Sequence, residues 1–223
     1  MKITISKENY LKTIAEAESE GETVIAATLA RWLKVSAPAV TMAIRRLKRD
    51  DLIRVSRPGQ ITLTRSGRAI ANRLLNRHHL IERMLTEIFG MEWYKVHDEA
   101  EQLEHAVSAD FESKLRERLG EDGACPHGNR MGMDTPDDRR RCGMKPLDEG
   151  EIAERLAVVS VFERDRNFLE YLERLDVRPG AALRITEAKA NRLILDVEGR
   201  AIQIDKPAAA RVWVRPMTSS TSR

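Results

Sequence analysis

The sequence predicts a mainly α-helical protein with small β parts: an N-terminal winged helix-turn-helix, a helical middle domain and a C-terminal SH3-like β-barrel. Residues 7–64 show three helical periodicities followed by two short strands. Residues 78–119 are helical by pattern, and several short apolar strands follow residue 180. A chain of 223 residues, 42% of them hydrophobic, is long enough for two or three such domains.

The first three helices are predicted from apolar spacing and capping signals. Residues 7–20 and 23–33 each place apolar side chains on one helical face. Ser36 is a favourable N-cap, and Pro38 falls in the first turn, where its missing N–H is harmless. The third helix is therefore expected to run from Ser36 to about Asp50.

A hairpin and a long helix follow. Residues 52–55 and 61–64 are strand-like, and the turn residues 57–60 between them complete the wing. Ser66 is expected to cap a helix that continues to His79 or beyond.

The remaining chain divides by composition. Residues 78–119 are helical with a break near Gly90, whereas the Gly-, Pro- and charge-rich residues 120–150 are expected to form a loop and linker. A helix at 168–175 precedes strands that begin at Leu183, Leu193, Ala201 and Val212. The predicted domains are 1–73, 74–145 and 146–217, with a disordered tail at 218–223.

The composition argues against several classes of protein. The sequence has no run of eighteen apolar residues, and its N-terminus lacks the apolar stretch of a secretory signal. It has two cysteines, Cys125 and Cys142, which are too few for a disulfide framework. These features predict a cytoplasmic protein with no membrane partner.

Charge is unevenly distributed along the chain. Residues 1–77 carry 15 Lys/Arg and 7 Asp/Glu, whereas residues 78–120 carry 5 and 10. A basic block followed by an acidic block suggests that the first holds a polyanion and the second holds cations. The alternative is a pair of solvated helix faces that happen to differ in charge.

The basic block coincides with the winged helix, which favours DNA binding. Residues 24–77 contain 12 Lys/Arg and 2 acids, and phosphate contacts supply much of the affinity for DNA. The start of the recognition helix is small or apolar, so we expect methyl contacts and shape to contribute to specificity. The candidate DNA-binding residues are Ser36, Pro38, Ala39, Thr41, Met42, Arg45, Arg46 and Arg57. The alternative is a winged helix that contacts only protein.

The acidic block contains two groups of metal-ligand residues. His78 and Glu82 are spaced i, i+4, and Glu101, Glu104 and His105 are spaced i, i+3, i+4, so each group shares one helix face. His97 begins the second segment. Imidazoles and carboxylates without a thiol suit manganese or iron(II). The alternative is salt-bridged surface charge.

Four segments carry a resemblance to a known family. The stretches RHHLIERMLTEIFGMEWYKVHDEAEQLEH, ENYLKTIAEAESEG, SAPAVTMAIRRLKRDDLI and CPHGN resemble the diphtheria toxin repressor family of metal-dependent regulators, in its longer form with a C-terminal FeoA-like barrel. The resemblance implies a homodimer whose middle domain is the dimerisation domain. It also implies a repressor, without an organic cofactor, that binds double-stranded operator DNA of metal-homeostasis genes when loaded with metal.

The resemblance also implies two metal sites. The primary site would use Asn9, Glu101, Glu104 and His105. The ancillary site would use His78, Glu82 and His97, with a ligand from the C-terminal domain that is best matched by Asp165 or else by Glu163.

Departures from the family pattern bear on the ion. Iron-sensing members commonly have Met and Cys where this chain has Asn9 and Glu101, so Mn²⁺ is expected, with Fe²⁺ as the alternative. Lys12 replaces an acid of the small manganese sensors, so their two-metal cluster is not expected intact. His79 replaces an Arg that holds an anion in some members, and we expect an exposed neighbour of the site rather than a ligand.

Three other interpretations need consideration. Cys125, His127 and Cys142 resemble a zinc set, but without a CxxC pair we expect a surface loop with reduced thiols. A metallohydrolase is the alternative from another class, but no HExxH signature is present, so no enzyme and no catalytic residue are predicted. A winged-helix sensor of an organic ligand would leave the acidic residues merely structural.

Overall fold

The computed structural model describes residues 3–120, 123–130 and 135–217. Their order is the predicted one: helices and a hairpin, then a helical middle region, then a β domain. The predicted tail at 218–223 lies outside the described residues. Within the described ranges, no helix combines the length and the apolar character needed to cross a membrane.

The N-terminal unit is a winged helix-turn-helix. It consists of α1 (Ile5–Ser19), α2 (Ala26–Leu33), α3 (Ala37–Arg49), β1 (Ile53–Val55) and β2 (Ile61–Leu63). Ser36 caps α3 by accepting from the Ala39 amide, as predicted. Helix α2 begins three residues later than predicted, because the Val24 carbonyl accepts from the Ile61 amide at 2.8 Å and keeps the chain extended beside β2.

A single core holds the recognition helix α3 in this unit. Leu11 and Ile14 of α1 are fully buried in it with Leu29 of α2. Val40 and Leu47 supply the buried face of α3. Each such side chain contributes about 1.5–3 kcal/mol of burial free energy, so α1 and α3 are expected to move together.

Helix α4 (Arg65–Glu87) joins the N-terminal unit to the middle region without a break. Its N-cap is Thr64 rather than the predicted Ser66, because the Thr64 hydroxyl donates to the Asp51 carbonyl and accepts from the Gly67 amide. A Cβ at Gly67 would lie 2.0 Å from the Leu52 carbonyl oxygen, so only glycine fits there. The predicted domain boundary at 73/74 falls inside this helix.

The middle region adds α5 (Val96–Leu103) and α6 (Ala109–Leu119), which pack on α4. The predicted break near Gly90 is confirmed, and a second break separates α5 from α6. The buried residues of this small core are Leu80, Ile81, Met84, Leu85, Val96, Ala100 and Leu115.

The expectation of a loop at 120–150 is wrong for residues 136–141 and 145–149. The structure contains α7 (Pro136–Arg141), β3 (Lys145–Pro146) and a 3₁₀ turn (Leu147–Glu149). Arg139 helps to hold this segment in place, because its buried guanidinium contacts Glu20 at 3.3 Å and lies over the Trp213 ring. The segment therefore packs against both α1 and the β domain.

The C-terminal domain is a six-stranded antiparallel sheet of order β3-β8-β4-β5-β6-β7, consistent with the predicted SH3-like barrel. Its further elements are β4 (Arg155–Val161), α8 (Arg166–Arg174), β5 (Ala182–Ala188), β6 (Arg192–Val197), β7 (Arg200–Asp205), α9 (Lys206–Ala209) and β8 (Val212–Pro216). Phe168, Leu169 and Leu172 of α8 close the apolar interior.

Candidate metal centre

A group of buried ligand-type residues lies where α4, α5 and the barrel meet. His78 and Glu82 stand one turn apart on α4, His97 lies in the first turn of α5, and Glu163 follows β4. His78 Nε2 lies 2.9 Å from Glu82 Oε1 and 3.0 Å from His97 Nδ1. One ligand atom from each of the four residues lies within 4.8 Å of every other. We call these four residues the buried set.

The buried set has the chemistry of a cation site. Glu82 is fully buried, and its Oε2 has no hydrogen-bond partner among the described residues. A buried carboxylate oxygen without a partner is costly, and a bound cation would satisfy it. Burial lowers the pKa of His97, but hydrogen bonds to Glu101 and Glu82 outweigh it and raise the pKa to about 10. An ion bound through that imidazole must therefore displace a proton.

Three residues that were not predicted to be ligands adjoin the buried set. Cys125 Sγ lies 3.5 Å from Glu163 Oε2, and His127 Nδ1 lies 3.4 Å from Glu82 Oε1. His79 Nε2 lies 3.7 Å from Glu163 Oε1. Cys125 and His127 are buried, so the surface-loop expectation is wrong for them, and His79 is largely buried rather than exposed. Cys142 is exposed and stands apart, as expected of a reduced surface thiol.

His127 is oriented as a ligand would be. Its Nε2 lies 2.9 Å from the Trp93 carbonyl oxygen, which can only accept, so Nε2 carries the proton and Nδ1 faces Glu82. Burial raises the pKa of the Cys125 thiol well above its usual range, and the carboxylates Glu82 and Glu163 raise it further. The thiol is thus neutral at physiological pH and would release its proton on binding a metal.

The barrel residue in the buried set is Glu163, and the expectation for Asp165 is corrected. The Asp165 carboxylate accepts from the Phe168 amide and so caps α8. It also accepts two hydrogen bonds from Arg211, each 3.1 Å long. The recorded partners of the Asp165 carboxylate are thus the start of α8 and Arg211, whereas Glu163 contacts His79, His97 and His127.

The predicted primary residues are brought together only in part; we call Asn9, Glu101, Glu104 and His105 the primary set. His105 Nε2 lies 2.7 Å from Asn9 Oδ1 and 3.5 Å from Glu104 Oε1. Glu8, which the sequence analysis did not single out, places Oε2 3.0 Å from His105 Nδ1. Glu101 instead lies 3.6 Å from His97 Nε2. Oxygen atoms therefore surround His105, but Glu101 faces the buried set.

Lys12 of α1 connects the two sets. Its ammonium donates to Glu104 Oε2 at 2.7 Å and lies 2.9 Å from His78 Nδ1, and the side chain is 4% exposed. Burial lowers the pKa of Lys12, but the carboxylates Glu16, Glu104 and Glu101 outweigh it and raise the pKa. A charged ammonium thus occupies the space between the sets.

All five histidines of the chain lie in or beside these two sets. Several of these histidines are buried, and buried ionisable side chains are not explained by solvated helix faces. The clustering therefore argues against the alternative of salt-bridged surface charge.

The candidate DNA face lies on α3 and the wing. All eight predicted DNA-binding residues are exposed. Within the described part of the chain, Arg45, Arg46 and Arg57 form no salt bridge, so their guanidinium groups are available to an external anion. Thr41 donates its hydroxyl to the Ala37 carbonyl at 3.0 Å, so this hydroxyl already has a partner within α3.

Family models cover almost the whole chain. Residues 2–59 match "Iron dependent repressor, N-terminal DNA binding domain". Residues 64–131 match "Iron dependent repressor, metal binding and dimerisation domain", and residues 145–216 match the FeoA domain. DNA binding and dimerisation are therefore properties of the matched domains.

Individual relatives agree with these matches. The diphtheria toxin repressor of Corynebacterium glutamicum is 32% identical over 93% of this chain and 94% of its own length. The iron-dependent repressor IdeR of Mycobacterium tuberculosis is 39% identical over 55% of this chain and 53% of its own length. A manganese-dependent transcriptional repressor in complex with manganese superposes with a TM-score of 0.84 at 30% identity, over 95% of this chain and 100% of its own.

These relatives are repressors rather than enzymes, so the metallohydrolase alternative finds no support among them. The chain belongs to the diphtheria toxin repressor family of metal-dependent transcriptional repressors.

Proposed function

We propose that this repressor responds to manganese, and that as a metal-loaded homodimer it binds double-stranded operator DNA of metal-homeostasis genes without an organic cofactor. The observation that carries the proposal is the position of α1. This helix brings Asn9 to His105 and Lys12 to Glu104, while its opposite face packs against the recognition unit.

The donor atoms support manganese at the primary set. Asn9 and Glu104 offer oxygen atoms near the imidazole of His105, and none of the four residues of the primary set has a sulfur atom. Glu101, one turn before Glu104, would add a carboxylate on turning from the buried set. Oxygen-rich sets with one imidazole favour hard ions such as Mn²⁺. Iron(II) is the alternative, because a relative named as an iron-dependent repressor is 39% identical over 55% of this chain.

The buried set is proposed as the ancillary site. It consists of His78, Glu82, His97 and Glu163, with Cys125 and His127 adjoining. This mixture of imidazole, carboxylate and thiol suits borderline ions more than Mg²⁺ or Ca²⁺. Because Glu163 comes from the barrel and the others from the middle region, an ion held here would fasten the barrel to that region.

The switch acts through packing between α1 and the recognition unit. A divalent ion bound by both Asn9 and His105 would link α1 to the segment that follows α5. Fixing α1 fixes α3, since Leu11 and Ile14 share one core with Val40 and Leu47. In a homodimer this would set the spacing of two recognition helices, which must match two half-sites on DNA. Metal binding and DNA binding are then coupled reciprocally, and a coupling of about 1–3 kcal/mol changes affinity about 5–150-fold.

At the DNA, Arg45, Arg46 and Arg57 would contact phosphates. Ser36, Pro38, Ala39, Thr41 and Met42 would approach base edges with small or apolar groups, mostly thymine methyl groups. Specificity would therefore depend strongly on the shape of the operator.

The test is DNA binding under anaerobic conditions. Duplexes selected from a random pool with Mn²⁺ present should be retained with Mn²⁺, less well with equal free Fe²⁺, and not with chelator. Unchanged affinity after chelation would overturn the metal switch. Stronger retention with Fe²⁺ would transfer the proposal to iron. Binding that depends instead on an organic additive would favour the ligand-sensor alternative.

A further inference from the structure

One segment of the barrel contacts both other regions of the chain. The Phe162 ring meets the Trp32 ring of α2 edge to face, with centroids 6.0 Å apart. The next residue, Glu163, enters the buried set, and Arg164 reaches α1 and α5. Three consecutive side chains therefore join the barrel to the DNA-binding unit and to both sets of candidate ligands.

Arg164 makes the most extensive of these contacts. Its guanidinium forms an ion pair with Glu16 of α1 and lies 5.2 Å from the centre of the Trp32 ring. Its Nη2 atom is 3.6 Å from Glu101 Oε1. Only 16% of the Arg164 side chain and 8% of the Glu16 side chain are exposed. Solvent screens such a pair less than a surface pair, so the contact with α1 should be strong.

The contact with Glu101 has a consequence for metal binding. The Oε1 atom of Glu101 lies near three cationic or protonatable groups: His97 at 3.6 Å, Arg164 at 3.6 Å and Lys12 at 4.0 Å. Glu101 is thereby held on the side of the buried set, while Asn9, Glu104 and His105 converge without it. To join the primary set, the Glu101 carboxylate has to give up part of these attractions.

We propose that Arg164 is a positioning residue through which the docked barrel competes with a metal ion for Glu101. Docking of the barrel then weakens ion binding by the primary set, and by reciprocity an ion in that set weakens the Arg164 contact. The inference rests on the proposed function in one respect, namely that the primary set binds a divalent ion.

The experiment measures Mn²⁺ binding by the full chain in competition with a fluorescent chelator. The binding step that disappears in His105→Ala is assigned to the primary set. Arg164→Gln removes the charge but keeps most of the side-chain length, and should raise the affinity of that step about three- to tenfold. Arg164→Lys keeps the charge and should return the affinity to within about twofold of the wild type.

Arg184→Gln is the matched control, because Arg184 is also a barrel arginine but pairs with Asp196 on the exposed surface of the sheet. It changes the net charge equally and should leave the step unchanged. An unchanged or weaker step in Arg164→Gln, an equal gain in Arg184→Gln, or a lysine variant that behaves like the glutamine variant would each overturn the competition with metal.

A second measurement does not require metal. With chelator present, hydrogen exchange of amides in α2 around Trp32 should be faster in Arg164→Gln than in the wild type, because the barrel loses its contact with α1. Equal exchange would overturn the docking role of Arg164. A wild-type chain that binds no Mn²⁺ would instead overturn the proposed function and the competition with metal, while this comparison would still decide whether Arg164 docks the barrel.

Discussion

The Lys12 ammonium lies 2.7 Å from Glu104 Oε2 and 2.9 Å from His78 Nδ1, so one side chain of α1 joins the primary set to the buried set. Glu16 and Glu101 also face this ammonium, at 3.8 and 4.0 Å. The charge of Lys12 is thus shared by three carboxylates, and Glu104 is oriented with Oε2 toward Lys12 and Oε1 toward His105.

Replacing Lys12 by methionine should destabilise the metal-free protein. The change removes the ammonium and leaves buried carboxylates without a cation, which costs about 3–5 kcal/mol for a buried pair. Denaturant unfolding in the presence of chelator measures this loss. Lys114→Met is the matched control, because the Lys114–Glu117 pair is exposed and should contribute less than about 1 kcal/mol. Equal losses in the two variants would contradict the structural role of Lys12.

His105 should be required for metal-dependent DNA binding and dispensable for folding. His105→Ala removes the imidazole on which Asn9 and Glu104 converge, while the side chain lies outside the apolar cores. Retention on duplex DNA with Mn²⁺ should fall to the level seen with chelator, and the melting curve with chelator should stay within a few degrees of the wild type. Gln102→Ala, an exposed change on α5, should alter neither property. Full metal response in His105→Ala would remove this residue from the primary set.

Substitutions of Glu163 and Asp165 should have different effects, the first on metal binding and the second on helix capping. Glu163→Gln removes a charge from the buried set and should weaken ion binding there by about 10–100-fold. Asp165→Asn should leave ion binding unchanged, because that carboxylate caps α8 and pairs with Arg211. Its cost should be at most about 2 kcal/mol of unfolding free energy. Competition titration with Zn²⁺, combined with denaturant unfolding, tests both variants. The opposite pattern would restore the sequence-based choice of Asp165.

This pair of residues shows how far the sequence predicts the site. Helix periodicity is local, so the position of His78 and Glu82 on one face of α4 followed from spacing alone, whereas the resemblance to the family was needed to place His97 with them. The choice between Glu163 and Asp165 depends on the conformation of a loop, which spacing does not determine.

Burial was the other quantity that local patterns did not predict. Cys125 and His127 stand in a Gly- and Pro-rich stretch that predicts a loop, yet both are buried beside Glu82 and Glu163. One sequence feature could have indicated their burial near the site: Cys125 and His127 lie only a few residues after the acidic helical segment. The fold itself was easier to predict, because helix caps such as Ser36 and the alternating strands after residue 180 are determined by a few neighbouring residues.

Metal affinity of the buried set should rise with pH. Hydrogen bonds to Glu101 and Glu82 raise the pKa of His97 to about 10, so the imidazole is protonated at neutral pH in the absence of metal. Each proton displaced by the ion makes the apparent affinity increase about tenfold per pH unit below that pKa. Zn²⁺ competition titrations at pH 6.5, 7.5 and 8.5 should show this trend, and His97→Gln should flatten it. Affinity independent of pH would show that ion binding displaces no proton from His97.

The same shift predicts the pH dependence of folding without metal. A pKa that is raised in the folded state stabilises the fold fully below the unfolded value of about 6.5 and loses this contribution as pH rises toward 10. The difference in unfolding free energy between the wild type and His97→Gln, measured with chelator, should therefore shrink from pH 6.5 to pH 9. A constant difference would mean that His97 stays neutral in the fold.

Arg46 should contact phosphate rather than bases. It is exposed on α3 and, within the described chain, forms no salt bridge, so its charge is available to DNA. Arg46→Ala should weaken binding to all duplexes by similar factors and reduce the slope of log affinity against log salt by about one. Arg192→Ala is the control, because Arg192 is equally exposed but lies on β6 of the barrel. If Arg46→Ala changed the preferred sequence and left the salt slope intact, Arg46 would have to be placed at a base edge.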